Sequence, residues 1–131
     1  MKKQGILNSE LSALISRLGH TDRIVICDAG LPIPDFVPRI DLAVVPGLPS
    51  FFDVLEAVLL EMQVERVIYA EEWQRVNPQA VQRLEAELPG AERDIVSHET
   101  FKQLTREARA VIRTGECTPY ANVILQAGVI F

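Results

Sequence analysis

Residues 23–28 read Arg-Ile-Val-Ile-Cys-Asp, which is a run of four apolar residues between two charged ones. The pattern predicts a short strand, because β-branched side chains favour an extended backbone. A continuous apolar run is also typical of a strand that is covered on both faces in a parallel sheet. Asp28 ends the predicted strand. The flanking sequence must therefore supply helices to cover this strand on both sides.

A helix is predicted directly before this strand. Asn8 or Ser9 is a suitable N-cap, and apolar residues follow at the spacing i, i+3, i+4 and i+7. Gly19 is expected to end the helix as its C′ residue. The apolar positions are Leu11, Leu14, Ile15 and Leu18. This periodicity indicates an amphipathic helix with one face against the sheet.

The segment after the strand contains a loop, a second strand and a second helix. Gly30 to Pro38 holds three prolines and is expected to be an extended loop, since each proline removes a backbone donor. Ile40 to Val45 is the second predicted strand, and Pro46-Gly47 ends it. Ser50 followed by Asp53 has the S-x-x-D spacing of a capped helix start.

Strands and helices continue to alternate to the end of the sequence. Further strands are predicted at residues 66–70, 94–97, 110–113 and 122–127. Helices are expected to begin at Asn77-Pro78 and at His98. We therefore expect residues 1–131 to form one α/β domain, with a sheet of about six strands layered by helices on both faces. Polar residues at the strand ends should gather along one edge of the sheet.

The composition excludes several classes of protein. The chain has 131 residues, 48% apolar and 24% charged, and a net charge of −5. These values fit one globular domain and argue against a nucleic-acid partner, because phosphate binding needs basic residues. No apolar stretch approaches the roughly 20 residues of a membrane helix, so no membrane partner is expected. Cys27 and Cys117 lie far apart, and without a signal-peptide pattern we expect reduced thiols and a cytoplasmic protein.

Familiar catalytic motifs are absent from the sequence. It contains neither G-x-x-x-x-G-K-[ST] nor G-x-G-x-x-G, and so offers no phosphate or dinucleotide loop. Asp28-Ala29-Gly30 lacks the second aspartate of a phosphoaspartyl site, and there is no G-x-S-x-G elbow. Cys117 is the one candidate for covalent catalysis. We expect no cofactor, and no metal, since His-x-x-x-His and His-Glu-x-x-His spacings are also missing.

Five polar residues stand at predicted element ends, where functional side chains concentrate. They are His20, Asp28, His98, Tyr120 and Asn122. His20 follows a helix end and would exchange a proton near neutral pH, although it would equally serve as a surface cap. Asp28 closes a buried strand, so its carboxylate should be paired or bind a ligand, unless it caps a turn.

The remaining candidates suit an uncharged polyol. His98 and Lys102 are four residues apart and share one helix face, which a solvated surface would also explain. Tyr120 and Asn122 alternate, so in an extended backbone they point to the same side. A phenol, an amide, a carboxylate and two imidazoles offer donors and acceptors for a sugar. The alternative is a strand end with an ordinary buried tyrosine.

The sequence resembles the D-ribose pyranase (ribose mutarotase) family, which is related to the fucose mutarotases. The resemblance runs from end to end, while Glu72 to Asp94 carries no matching motif and is interpreted as scaffold. The matching segments are Met1-Lys2-Lys3, Leu7-Asn8-Ser9, Leu18-Gly19-His20-Thr21-Asp22, Asp28 to Pro34, Pro46-Gly47-Leu48-Pro49, Val111 to Glu116, Thr118-Pro119-Tyr120-Ala121-Asn122 and Ile124 to Phe131.

The resemblance implies a cytoplasmic isomerase that interconverts the pyranose and furanose forms of D-ribose without a cofactor. It implies that His20 is the catalytic acid and that the sugar is held by Asp28, His98, Lys102, Tyr120 and Asn122. It also implies pentameric rings paired into decamers, with sites between neighbouring subunits. Whether Asp28 orients the imidazole or binds a sugar hydroxyl stays open. The alternatives are a mutarotase for another sugar, such as fucose, and a non-catalytic sugar-binding module.

Overall fold

Residues 1–131, all of which the computed structural model describes, form five α-helices and six β-strands. The helices are α1 (Ser9–Arg17), α2 (Phe51–Leu59), α3 (Glu71–Val76), α4 (Pro78–Glu87) and α5 (His98–Leu104). The strands are β1 (Arg23–Cys27), β2 (Arg39–Asp41), β3 (Val64–Ala70), β4 (Glu92–Val96), β5 (Val111–Arg113) and β6 (Val123–Ala127). None of the helices has the length and apolar character needed to cross a membrane.

All six strands belong to one mixed sheet in the order β2-β5-β1-β6-β3-β4. The pairs β1–β5, β2–β5 and β3–β4 are parallel, whereas β6 runs antiparallel to both β1 and β3. The start of β6 therefore lies at the edge where the parallel strands end. We call this the carboxyl edge of the sheet, and the opposite one the amino edge.

A hydrophobic core lies on each face of the sheet. Helices α1 to α4 pack on one face, and α5 packs on the other together with Leu31 and Val37 of the proline-rich loop. Along β1 the side chains alternate between the two cores, and all four apolar residues are fully buried. The predicted α/β fold, with six strands and helices on both faces, is confirmed.

Most predicted helix starts are confirmed in detail. The side chain of Asn8 accepts the Leu11 N–H at 2.9 Å, and Asn77 with Pro78 opens α4. Ser50 and Asp53 form a reciprocal capping box at the start of α2. These caps are local, which explains why a short sequence pattern is sufficient to predict them.

Three features of the structure differ from what the sequence indicated. Helix α3 was not predicted, because no side chain caps its N-terminus. β2 stops at Asp41 instead of Val45, since residues 44–48 close a small turn of their own. Gly19 does not adopt the left-handed conformation expected of a C′ glycine; Thr21 does instead, with φ 71°.

Candidate functional site

Asp28 and Asn122 are joined at the carboxyl edge of the sheet. Asp28 follows β1, and Asn122 precedes β6, the strand paired with β1. The Asp28 N–H donates to Asn122 Oδ1 at 2.8 Å, and Asn122 Nδ2 donates to Asp28 Oδ2 at 3.2 Å. The other carboxylate oxygen of Asp28 accepts the Gly30 N–H at 2.9 Å. The buried Asn122 side chain therefore holds both the backbone and the carboxylate of Asp28 in place.

Tyr120 and His98 pack against each other beside this pair. Their ring centroids are 5.0 Å apart, with the rings nearly perpendicular. Tyr120 has φ 64°, so the backbone is not extended there, and β6 begins at Val123 instead of Asn122. The expectation that strand alternation puts Tyr120 and Asn122 on one side is therefore wrong. The turn before β6 instead sends the phenol to His98 and the amide to Asp28.

The backbone of His98 is held by a residue that lies far away in the sequence. It is the first residue of α5, and its backbone N–H donates to Glu72 Oε2 at 2.6 Å. The imidazole stacks on Phe101 at a centroid distance of 6.4 Å, and its buried Nδ1 has no hydrogen-bond partner in the chain. Sequence reasoning assigned Glu72 to the scaffold and missed this contact, because no local pattern links α3 to α5.

Lys102 stands one turn after His98 on α5 but is engaged elsewhere. Its Nζ lies 2.6 Å from Glu99 Oε1, and this pairing lowers the pKa of the Glu99 carboxyl. About a third of the Lys102 side chain is exposed. The structure thus pairs Asp28 with Asn122 and Tyr120 with His98 at one edge of the sheet, whereas the Lys102 side chain pairs with Glu99.

His20 lies at the amino edge of the sheet, away from the other candidates. It precedes β1 whereas Asp28 follows it, and five residues of strand alone span about 16 Å. His20 Nε2 lies 2.8 Å from Glu65 Oε2, so its partner is a carboxylate on β3 and not the end of α1. The Asp28 carboxylate does not reach the imidazole of its own chain. One protomer therefore does not assemble all six predicted residues in one place.

Glu65 is a second residue that sequence reasoning missed. Its Oε1 accepts from Gln126 Nε2 at 2.7 Å, while its Oε2 faces His20. The hydrogen bond from Gln126, followed by the one to His20, lowers the pKa of the Glu65 carboxyl. In the sequence, Glu65 was only a charged residue directly before the predicted strand at residues 66–70. No group of three or more His, Cys, Asp or Glu side chains is arranged to hold a metal ion.

Comparisons with known proteins agree with the fold and extend over the whole chain. Residues 1–130 match the RbsD / FucU transport protein family. The chain is 55% identical to a D-ribose pyranase of Vibrio cholerae serotype O1 over 100% of both chains. Its structure is similar to Bacillus subtilis RbsD complexed with D-ribose, with a TM-score of 0.96, 56% identity and 100% of each chain covered. The fucose mutarotase of Streptococcus pneumoniae in complex with L-fucose shares the fold alone, with a TM-score of 0.74, 23% identity and 95% of each chain covered.

Proposed function

Because the chain belongs to the RbsD / FucU transport protein family, we propose that it is a D-ribose pyranase, an isomerase that interconverts the β-pyranose and β-furanose forms of D-ribose. The observation that carries this function is the similarity, over the full length of both chains, to a protein solved with D-ribose bound. The fucose mutarotase, at 23% identity, shares only the fold. Ribose is therefore favoured over fucose as the substrate.

The reaction needs proton transfer and no redox chemistry. The imidazolium of His20 gives a proton to the ring oxygen as the bond between C1 and that oxygen breaks, and the anomeric hydroxyl loses its proton to water. A different hydroxyl then attacks the resulting aldehyde and returns a proton to His20, while water protonates the aldehyde oxygen. Protons and electrons balance over the cycle. One well-placed acid–base group typically contributes about 10²–10⁴-fold to such a reaction.

The cluster at the carboxyl edge is proposed to hold the sugar. The carboxylate of Asp28 accepts hydrogen bonds from sugar hydroxyls, and the amide of Asn122 keeps it in position. Tyr120 and His98 contribute a phenol and a buried, unpartnered Nδ1. Lys102 is proposed to bind the sugar as well, after its ion pair with Glu99 breaks. The position of Asp28 in the chain supports a role in sugar binding over one in orienting its own His20.

The site is proposed to form between neighbouring subunits. His20 and the sugar-holding cluster lie at opposite edges of one sheet, so the amino edge of one protomer must meet the carboxyl edge of the next. Large exposed apolar side chains also favour self-association. They include Phe36, Val44, Val45, Leu48 and Phe131. A ring of five such contacts, with two rings paired into a decamer in the cytoplasm, is the assembly that we propose.

The variant His20→Ala tests the function. We expect it to fold and assemble like the parent but to lose exchange between pyranose and furanose anomeric signals of D-ribose in saturation-transfer NMR. Arg75→Ala, an exposed position on α3, is the matched control and should keep the parent rate. Exchange at the parent rate in His20→Ala would rule out the assigned acid.

The same measurement separates the alternative functions. A panel of pentoses and 6-deoxyhexoses should show the fastest exchange with D-ribose. Faster exchange with L-fucose would identify a fucose mutarotase. Binding of ribose without any exchange would identify a non-catalytic sugar-binding module.

A further inference from the structure

A chain of three hydrogen bonds connects four side chains at the amino edge of the sheet. Arg23 Nε donates to Gln126 Oε1 at 2.9 Å, and Gln126 Nε2 donates to Glu65 Oε1 at 2.7 Å. Glu65 Oε2 then lies 2.8 Å from His20 Nε2. Arg23 can only donate, so the Gln126 amide must accept through its oxygen and donate through its nitrogen. The donor and the acceptor are therefore fixed in the first two of these hydrogen bonds.

The last bond in the chain determines where His20 carries its proton. A carboxylate only accepts hydrogen bonds, so Nε2 must bear the hydrogen that points at Glu65. In the neutral imidazole the lone pair is then on Nδ1, and in the imidazolium Nδ1 holds the second proton. Nδ1 is therefore the ring nitrogen that is left free to exchange a proton with a ligand.

A local irregularity of the sheet brings Glu65 to this position. Val64 pairs with Ala127 and Arg66 with Gln126, so Glu65 is an extra residue between two consecutive pairs of β3 and β6. A bulge of this kind re-aims a side chain at the end of a sheet. Gly128 accommodates it, because a Cβ there would stand 3.1 Å from the Cβ of Glu65.

The exposure of His20 and the charge of Glu65 are consistent with a catalytic role for the imidazole as well as a structural one. Half of the His20 side chain and a third of the Glu65 side chain are exposed, so the imidazole is accessible from solvent. The lowered pKa of the Glu65 carboxyl keeps it ionised at neutral pH, so that its Oε2 accepts the hydrogen bond from His20 Nε2–H.

We propose that Glu65 is a positioning residue for the isomerase: it binds His20 Nε2–H and leaves Nδ1 as the atom that exchanges protons with the sugar. The proposal rests on the proposed function for the identity of the substrate, but not for the state of the ring. Glu65 touches neither sugar nor reacting atom; it acts through His20.

The first test measures the tautomer of the His20 imidazole directly and does not depend on enzymatic activity. In protein labelled with ¹⁵N-histidine, the His20→Ala variant assigns the ring signals, because the chain contains two histidines. At a pH where the ring is neutral, we expect ¹⁵N shifts of the Nε2–H tautomer in the parent, and a mixture of tautomers in Glu65→Gln. An Nδ1–H tautomer in the parent, or unchanged shifts in Glu65→Gln, overturns the proposal.

The second test separates positioning from binding. Glu65→Gln should lower kcat by at least about tenfold, a part of what acid–base catalysis contributes, with KM for ribose unchanged. Glu107→Gln removes a negative charge from the cavity lined by Arg23 and Gln126 but leaves the hydrogen-bond chain intact, and it should keep the parent kcat. An unchanged kcat in Glu65→Gln overturns the proposal. Absence of exchange in the parent would overturn the proposed function instead, while the ring signals still decide the role of Glu65.

Discussion

Asn122 holds the residues at the carboxyl edge of the sheet together. It is 2% exposed and satisfies both the backbone N–H and the carboxylate of Asp28. Asn122→Ala leaves that N–H without a partner, so we expect a loss of about 1–3 kcal/mol in the free energy of unfolding and a large loss of ribose exchange. Urea denaturation measures the first effect and NMR exchange the second. Gln79→Ala, exposed on α4, is the control, and equal urea midpoints for the two variants would contradict the role given to Asn122.

Burial determines the reactivity of the Cys27 thiol. Cys27 belongs to the apolar run that was predicted to form a strand covered on both faces, and this burial is confirmed, since Cys27 is fully buried. Burial, followed by the nearby charge of Asp28, raises the pKa of the thiol to about 12. The thiolate, which is the reactive form, is therefore negligible at neutral pH.

Asp22 stabilises the turn that connects helix α1 to strand β1. Its carboxylate accepts the Gly19 N–H at 2.9 Å and pairs with Arg109 at 2.8 Å. The Gly19 hydrogen bond, and then Arg109, lower the pKa of Asp22 below its ordinary 3.8. A carboxyl with a lowered folded pKa stabilises the fold above the unfolded pKa, and this stabilisation is lost as the pH falls through the folded pKa.

Asp22→Ala should therefore lower the unfolding temperature by a few degrees at pH 7, and the difference from the parent should shrink as the pH falls below 3.8. Circular dichroism melts at neutral and acid pH measure this difference. Asp35→Ala, an exposed aspartate of the proline-rich loop, should change little at either pH. A difference for Asp22→Ala that is the same at both pH values would show that the ionised carboxylate is not the stabilising group.

Elements with local signals were predictable, and elements held by distant contacts were not. The capping box of α2 and the Asn-Pro start of α4 lie within four residues of sequence. Helix α3 has no capping side chain, and Trp73 anchors it instead by burial against Phe51, 5.3 Å away between ring centroids. Such a contact joins residues more than 20 positions apart, which no periodicity records.

Because His20 and Asp28 lie at opposite edges of the sheet in one protomer, a complementation experiment can test whether the site is shared between two subunits. His20→Ala and Asn122→Ala should each be inactive in ribose exchange. When the two variants are unfolded together in equal amounts and refolded, a shared site should regain about one quarter of the parent activity, because random mixing gives one interface in four with both intact halves. His20→Ala refolded alone is the control. No recovery in the mixture, with mixed oligomers shown by mass spectrometry, would rule out a site between subunits.

The residue pattern alone was enough to predict the α/β class, the buried first strand, most helix starts and the polar residues at the element ends. Each of these depends on side-chain periodicity or on contacts within a few residues. Folding in three dimensions decided which of those polar residues meet. The antiparallel insertion of β6 between β1 and β3 brings Asn122 to Asp28, and a bulge in β3 brings Glu65 to His20. Strand order and register arise from the packing of the whole sheet, because hydrogen bonding between strands is indifferent to distance along the chain.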